Sequence, residues 1–405
     1  MSVEIQSYEL ALPPIVRFGS GRLVEIAELV AMVGRRVWLI GGRRSLLASA
    51  SRETIESSLA SAGIDSRIVA VSEGEPTVAQ VAAGLAGLAD EDQAAAVIVA
   101  VGGGSAIDLA KAVAALATNP PPGGLGRQRP ADLEQHVVDH LEGVGRGLPI
   151  RHAPIPLVAV PTTAGTGAEA TRNAVISCPE RGFKKSLRSP LMVPRAALID
   201  PDLTLGCDPS TTAAAGLDCI TQLVESFICR FKKPLPRALV LEALPRAVHA
   251  LPRLLHDPGD AAARSALSHA AFVSGVALTN SGLGMAHGVA AALGIECGTA
   301  HGVACALMLP LALRVNASAA EADFAVLERS IDPLAPSDDA AAARSFVGRV
   351  EAICSAAGTP RRLSEVGLKR ARIGWLAENS GGASMRGNPV ELGVEQLQGL
   401  LAEIY

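Results

Sequence analysis

The strongest constraint on the fold is a change of pattern along the chain. Up to about residue 205, short apolar runs rich in valine and isoleucine alternate with stretches of helical periodicity. Strands are predicted over residues 35–42, 66–71, 95–105 and 155–160, and helices over residues 45–62, 78–88 and from 106 onward. Strands that alternate with helices predict a parallel sheet covered by helices on both faces, which is typical of α/β nucleotide-binding folds.

The second half of the chain has a different character. After PRAALIDPDLT, residues 194–204, the strand-like runs end and alanine- and leucine-rich helical patterns continue to Tyr405. The predicted architecture is therefore an α/β domain over residues 1–205, followed by an all-helical domain over residues 206–405. The segment 120–154 is rich in proline and glycine and is predicted to be an insertion or a long loop.

Composition excludes several classes of function. The 405-residue chain carries a net charge of −4 spread along its length, so nothing indicates binding to nucleic acid or to a membrane. Its seven cysteines are odd in number and include no CxxC pair, which is typical of a reduced, cytoplasmic protein. The N-terminal residues lack the pattern of a signal peptide, and no apolar run is long enough to span a bilayer.

Two loops follow predicted strands and could hold phosphate. In VGGGSAIDLAKAVA the residues Gly103, Gly104 and Ser105 open a helix, whose N–H groups and dipole favour an anion. A glycine turn without a ligand is an equally ordinary interpretation. On the same helix, Asp108 and Lys111 are expected to lie on a solvated face or to form a local cap, and neither is assigned to catalysis.

The second loop lies in VAVPTTAGTGAEATRNAVI. Thr162, Thr163 and Thr166 supply hydroxyl groups among glycines after an apolar strand, which suits phosphate or ribose oxygens, although a turn with a helix cap is the simpler alternative. Ligands of parallel sheets bind at the carboxyl ends of the strands, so two such loops together favour a nucleotide site.

The helical half contains a possible metal site. Asp218 and Gln222 are four residues apart in GLDCITQLVES and share a helix face, where a mutual hydrogen bond or a cation would satisfy them. His287 and His301 each precede a glycine in an apolar stretch and could simply be core histidines. With Asp218 they could also offer the nitrogen and oxygen ligands that Zn²⁺ or Fe²⁺ accepts.

These motifs resemble those of the iron-containing, or group III, alcohol dehydrogenase family over nearly the whole chain. GGGSAIDLAKAVA, PTTAGTGAEATRNAVI, LIDPDLT, GLDCITQLVES, NSGLGMAHGVAAALG and AHGVACALMLP occur in the family's order and spacing. The resemblance implies a Rossmann-like NAD(P)-binding domain, a helical metal-binding domain and an active site between them, in the fold shared with dehydroquinate synthase. The implied activity is hydride transfer between the nicotinamide and a small alcohol, aldehyde or keto substrate.

The resemblance also implies roles for individual residues. Gly103, Gly104 and Ser105 would hold the pyrophosphate, and Lys184 would reach the ribose. The rest of the cofactor cleft would be lined by Gly42, Thr162, Thr163, Thr166 and Val175. Asp218, Gln222, His287 and His301 would bind Fe²⁺ or Zn²⁺, and the family's members are commonly homodimers.

Two departures from the family pattern bear on the metal. Gln222 stands where well-known members have a histidine ligand, and Ala291 stands where they often have another histidine near the substrate. A neutral carboxamide is expected to hold the metal less tightly, so the metal is expected to be weakly bound or absent. In a metal-independent reaction, similar to that of maleylacetate reductases, His287 would be the catalytic electrophile or proton donor.

The sequence leaves alternatives open for the cofactor preference and for the type of reaction. Arg43 and Arg44 follow the first predicted strand where NAD-selective members often have an acid, which favours NADP(H). A sugar-phosphate cyclase or lyase related to dehydroquinate synthase is a second possible activity. Residues 281–310 contain no lysine or arginine that could hold a substrate phosphate, which argues against it. A non-catalytic binding protein would leave the two loops and three ligands unexplained.

Overall fold

A computed structural model describes residues 7–47, 49–88 and 95–405 of the chain. Six parallel strands form one sheet in the order β1-β8-β5-β4-β2-β3, and β6 and β7 form a separate antiparallel pair. The strands are β1 (Ile15–Phe18), β2 (Arg36–Gly42), β3 (Asp65–Ser72), β4 (Ala96–Gly102), β5 (Leu157–Pro161), β6 (Asn173–Cys178), β7 (Phe183–Arg188) and β8 (Ala196–Ile199). The predicted parallel α/β sheet is therefore confirmed.

Helices cover both faces of this sheet. They are α1 (Ile26–Ala31), α2 (Ala50–Ser61), α3 (Val78–Ala86), α4 (Gly104–Ala117) and α5 (Pro130–Asp139). Alternate residues of β2 point to opposite sides: Trp38 and Ile40 pack with α3 and α4, whereas Val37 and Leu39 pack with α1 and α2. Because both faces are buried, the central strands are apolar throughout, which is why they stand out in the sequence.

Two local predictions need correction, and one pair of strands was not predicted. The segment 120–154 is not a plain loop, because Pro130 begins helix α5 and Leu133 and Val137 of that helix enter the core. The predicted helix over residues 45–62 includes position 48, which lies outside the described residues; before it Arg43–Leu47 form a π-helical turn, and α2 begins only at Ala50. The antiparallel pair β6–β7 was not predicted, since half-buried polar residues such as Lys184 interrupt its pattern.

The second half of the described chain is helical, as predicted. Its helices are α6 (Pro209–Ile228), α7 (Pro234–His256), α8 (Ala261–Asn280), α9 (Met285–Cys297), α10 (His301–Asn316), α11 (Glu321–Ile331), α12 (Asp339–Ala356), α13 (Ile373–Asn379), α14 (Ala383–Gly387) and α15 (Val394–Glu403). One apolar core surrounds α6, α7 and α8, and another lies between α9, α10 and the C-terminal helices. Over the described residues, every helix is too short or too polar to cross a bilayer.

Candidate functional site

The two predicted nucleotide loops lie side by side. Strands β4 and β5 pair directly, so the loops that follow them leave the same edge of the sheet. The Thr162 N–H donates to the Gly102 carbonyl oxygen at 3.0 Å. A Cβ atom added at Gly104 would lie 2.6 Å from Oγ1 of Thr166, and one at Gly103 would lie 3.1 Å from Oγ1 of Thr163. The glycines are therefore needed for this close approach of the loops.

The first turn of α4 is suited to an anion. Gly103 caps the helix with extended backbone and makes no side-chain capping bond, so no side chain blocks the helix end. Gly104 and Ser105 begin the helix and are only partly buried. The N–H groups of a helix start, together with the helix dipole, favour a phosphate. This geometry fits the pyrophosphate of a dinucleotide.

A cavity of about 270 Å³ lies between this helix start and the helical half of the chain. Among the sequence-predicted site residues it is lined by Gly104, Ser105, Thr166, Val175, Lys184, Gln222, His287 and His301. The others stand behind this lining or beyond it, namely Gly42, Gly103, Thr162, Thr163 and Asp218. Glu75 also faces the cavity and lies 2.5 Å from Nζ of Lys184, a contact that was not predicted.

Lys111 and Asp108 were expected on a solvated helical face, and for Lys111 this is wrong. Lys111 is 2% exposed, and its Nζ donates to Oγ1 of Thr171 at 2.6 Å and to the Asn173 carbonyl at 3.1 Å. Burial lowers the pKa of Lys111 to about 8 and raises the pKa of Asp108 to about 6. Asp108 accepts a hydrogen bond from the Val175 N–H at 2.9 Å. Both residues thus attach α4 to the start of strand β6; Asp108 lines the cavity and Lys111 does not.

Three predicted metal ligands converge from three helices. His287 in α9 places Nε2 at 3.3 Å from Oδ1 of Asp218 in α6. His301, the first residue of α10, places Nε2 at 3.8 Å from the same oxygen. Asp218 Oδ1 and His287 Nε2 are buried and have no hydrogen-bond partner among the described residues. Buried polar atoms without a partner are costly, and a cation between them would satisfy both.

Glu225 holds His287 in place and was missed by the sequence analysis. Its Oε2 lies 2.7 Å from Nδ1 of His287, and its carboxylate also accepts from the N–H groups of Gly284 and Ala286. This pairing assigns the ring proton to Nδ1 and turns Nε2 toward Asp218, as in carboxylate–histidine–metal arrangements. Glu225 follows Asp218 by seven residues on one helix, so its spacing could have revealed it.

Charges around the three ligands favour a positive group. Burial opposes ionisation of Asp218, but the neighbouring rings of His287 and His301 leave its pKa below the usual value. Burial also opposes a charge on His287, yet the Cys305 sulfur and the Asp218 and Glu225 carboxylates raise its pKa well above the usual value. For His301 burial prevails and lowers its pKa to about 4. The buried carboxylates therefore attract either a proton or a metal cation here.

The glycines after the two histidines allow the helices to approach. A Cβ atom at Gly302 would lie 2.5 Å from the Ala214 carbonyl oxygen of α6. One at Gly288 would lie 3.0 Å from the Ser380 carbonyl oxygen. In each His-Gly pair, the histidine presents a polar side chain, and the glycine next to it allows a close contact with a neighbouring backbone segment. Without it, α10 and α6 would stand farther apart.

The two departures from the family pattern have clear positions. Gln222 stays beside Asp218: its Nε2 donates to Oδ2 of Asp218 at 3.1 Å, and its Oε1 accepts from the Ser274 hydroxyl at 2.6 Å. Ala291 lines the cavity near His287 and brings no ionisable group.

Cys305, a second residue not predicted, belongs to the same cluster: one donor atom each from Asp218, His287, His301 and Cys305 lie within 4.8 Å of one another.

Comparison with known proteins identifies the family of the chain. The profile described as "Iron-containing alcohol dehydrogenase" matches residues 13–201, and that of "Fe-containing alcohol dehydrogenase family, C-terminal" matches residues 212–405. Alcohol dehydrogenase 4 of Saccharomyces cerevisiae is 30% identical over 395 residues, 97% of each chain. Lactaldehyde reductase of Escherichia coli is 30% identical over 382 residues, 94% of this chain and 95% of that protein.

Solved structures show the same fold. A 1,3-propanediol oxidoreductase superposes with a TM-score of 0.87 at 24% identity, covering 99% of this chain and 100% of that one. Sulfoacetaldehyde reductase from Bifidobacterium kashiwanohense, solved in complex with NAD⁺, superposes with a TM-score of 0.84 at 26% identity over 98% of this chain and 99% of that one. The predicted fold and hydride-transfer chemistry are thereby confirmed at the level of the family. The chain belongs to the iron-containing alcohol dehydrogenase family.

Proposed function

We propose that this chain transfers hydride between NADP(H) and a small alcohol or aldehyde, with Fe²⁺ or Zn²⁺ held by Asp218, His287 and His301. One observation carries the proposal. Unpaired buried donor atoms of Asp218 and His287 lie beside a cavity that also contains the open start of helix α4. A cation site and a dinucleotide site therefore share one space, as metal-assisted hydride transfer requires.

The α/β half would bind the cofactor. The backbone at Gly104 and Ser105 would hold the pyrophosphate, with Thr166 beside it. Lys184 would donate to the ribose from β7, where Glu75 fixes its ammonium group. Val175 would contact the cofactor from the neighbouring strand. Gly42, Gly103, Thr162 and Thr163 would support this site by bringing the loops together rather than by touching the cavity.

The helical half would orient the substrate. A bound cation would polarise the substrate oxygen and lower the pKa of an alcohol. Asp218 and His301 would hold this position, and Glu225 would keep His287 in one tautomer. Ala291 and neighbouring apolar residues would exclude water around the reacting carbon. The nicotinamide supplies or accepts the hydride, so the chain's own task is orientation.

A small neutral substrate fits the shape of the site. The cavity of about 270 Å³ must also accept the nicotinamide end of the cofactor, which favours a small substrate. The relative named lactaldehyde reductase acts on a substrate of that size. In the metal-independent alternative, His287 would act as the proton donor. That alternative leaves the unpaired buried atoms Asp218 Oδ1 and His287 Nε2 without an explanation.

NADP(H) is the proposed cofactor because Arg43 and Arg44 are exposed at the carboxyl end of β2. Arg43 pairs with the equally exposed Glu73 at 3.0 Å, a contact that a 2′-phosphate could replace.

We further propose that residues 1–205 and 206–405 are the two domains, and that the protein is a cytoplasmic homodimer. Sedimentation of the purified protein measures its oligomeric state directly.

One experiment tests the proposed function. Oxidation of NADPH and NADH is followed with chelator-treated protein and a panel of small aldehydes and keto acids, before and after adding Fe²⁺, Zn²⁺ or Mn²⁺. We expect the chelator-treated protein to oxidise NADPH only after metal has been added. Activity that survives chelation unchanged would overturn the metal role and shift the chemistry to His287. Efficient use of NADH in place of NADPH would overturn the cofactor preference.

A further inference from the structure

We infer that the thiolate of Cys305 is a ligand of the metal, in the place that Gln222 was expected to take. The inference rests on the proposed metal-dependent function and concerns the ligands of that same site. The resulting set would consist of Asp218, His287, His301 and Cys305, with two nitrogens, one oxygen and one sulfur.

The position of Cys305 follows from helix geometry. It lies four residues after His301 on α10, so both side chains point to the same side of that helix. Its Sγ is 3.7 Å from Nε2 of His301, and the residue is fully buried. Asp218 and His287 each place a donor atom within 4.8 Å of this sulfur as well. A buried thiol in such a position is available to a cation.

The distances between donor atoms suit a zinc site with four protein ligands, which could expand to five-coordinate to take the substrate oxygen. With bonds of about 2.0 Å to nitrogen or oxygen and about 2.3 Å to sulfur, neighbouring ligands stand about 3.4 Å apart, or about 3.6 Å when one is sulfur. The structure places His287 Nε2 at 3.3 Å and His301 Nε2 at 3.8 Å from Asp218 Oδ1, and Cys305 Sγ at 3.7 Å from His301 Nε2. All four donor atoms lie within 4.8 Å of one another, so the side chains surround one position that a cation could occupy.

Gln222 is engaged elsewhere. Its amide nitrogen faces Asp218 and its amide oxygen accepts from Ser274, so the group that would coordinate is directed away from Asp218. Its amide instead fixes Oδ2 of Asp218, which leaves Oδ1 directed at the two histidines. We therefore assign Gln222 as a positioning residue.

A thiolate changes which metal the site prefers. Coordination deprotonates a thiol outright, and thiolate ligands favour Zn²⁺. The departure from a histidine at position 222 is thus offset by a charged ligand at position 305. We expect zinc to bind more tightly than iron.

The test is spectroscopic and does not depend on turnover. The protein is loaded with Co²⁺ and its near-ultraviolet spectrum is recorded, because a thiolate ligand gives a charge-transfer band that nitrogen and oxygen ligands do not. X-ray absorption of the zinc-loaded protein measures the same property as a sulfur shell at about 2.3 Å. The variants are Cys305→Ser and, as a control, Cys219→Ser, which removes another buried thiol one residue from Asp218.

We expect the band and the sulfur shell in the original protein and in Cys219→Ser, and neither in Cys305→Ser. The affinity of Cys305→Ser for Zn²⁺ should fall by more than the loss of about 10- to 100-fold that removal of an outer partner causes. Bound metal without a sulfur shell in the original protein would overturn the inference while leaving the proposed function intact. A band that persists in Cys305→Ser would overturn it too. If Cys305→Ser does not fold, the original protein's spectrum decides alone.

Discussion

The Oε2 atom of Glu225 lies 2.7 Å from Nδ1 of His287, and both residues are buried. Because this contact fixes the tautomer that turns Nε2 toward Asp218, we predict that Glu225→Gln lowers metal affinity about 10- to 100-fold. Chelator competition measures this affinity. The matched control is Glu242→Gln, which breaks another glutamate–histidine contact, to His269 at 2.8 Å, at the surface. Equal losses in both variants would contradict the role of Glu225.

Gly302 is predicted to be essential to the metal site although it binds nothing. In Gly302→Ala the new Cβ would lie 2.5 Å from the Ala214 carbonyl oxygen, so α10 must move away from α6 and carry His301 with it. We expect a loss of about 1 to 3 kcal/mol in unfolding free energy and a drop in metal affinity. The control is Gly348→Ala, whose Cβ meets nothing within 4 Å inside helix α12. It should instead be neutral or slightly stabilising.

Gly104→Ala is predicted to weaken cofactor binding while sparing the metal. The added Cβ would lie 2.6 Å from Oγ1 of Thr166, which would force the two nucleotide loops apart. A cost of about 1.4 kcal/mol would raise the dissociation constant for NADPH about tenfold. Fluorescence titration with NADPH and chelator competition measure the two effects separately. Gly399→Ala, at an open position in α15, is the control. Unchanged NADPH affinity in Gly104→Ala would place the cofactor elsewhere.

The double variant Arg43→Ala/Arg44→Ala is predicted to change cofactor preference. If these exposed guanidinium groups pair with a 2′-phosphate, the KM for NADPH should rise about 5- to 10-fold, which corresponds to about 1 kcal/mol. The KM for NADH should stay the same, because NADH lacks that phosphate. Arg52→Ala removes a partly exposed arginine that pairs with Glu56 within helix α2, and it serves as the control. A parallel rise for both cofactors would contradict the prediction.

His136 is predicted to make the protein less stable in acid. Burial, reinforced by the neighbouring His140, lowers the pKa of His136 to about 4, while its Nε2 donates to the Asn119 carbonyl at 2.9 Å. In the unfolded chain a histidine has a pKa of about 6.5, so between about pH 6.5 and 4 only the unfolded state gains this proton. Unfolding free energy should therefore fall with pH in this window, by at most about 1.4 kcal/mol per unit.

The measurement for His136 is urea unfolding at several pH values. His136→Gln keeps an amide that can donate to Asn119 but does not titrate, so its stability should fall less steeply in acid. His249→Gln, which changes an exposed histidine, should leave the slope unchanged. A slope in His136→Gln as steep as in the original protein would show that other groups cause the acid sensitivity.

Much of the fold could be predicted because its signals are local. The buried strands of a parallel sheet are apolar throughout, so β2, β4 and β5 are visible in the sequence. The pair β6–β7 and the helix α5 were missed, since their half-buried residues are mixed and their flanks are rich in proline and glycine.

The environment of single residues was harder to predict. Lys111 lies one helical turn after Asp108 on an alanine-rich helix, a pattern that is typical of a solvated face. It is buried only because the β6–β7 pair covers that side of α4 and offers it a hydroxyl and a carbonyl oxygen. Those partners lie about 60 residues away in sequence.

The sequence by itself determined the alternation of strands and helices, the glycines of the first nucleotide loop and the candidate ligands Asp218, His287 and His301. These depend on spacing within one element, where geometry repeats every 3.6 or 2 residues. Only the tertiary structure decided that Asp218, His287, His301 and Cys305 meet, that Glu225 orients His287 and that Gln222 turns to Ser274. Such contacts join distant segments through helix packing, and packing depends on the shapes of many side chains at once.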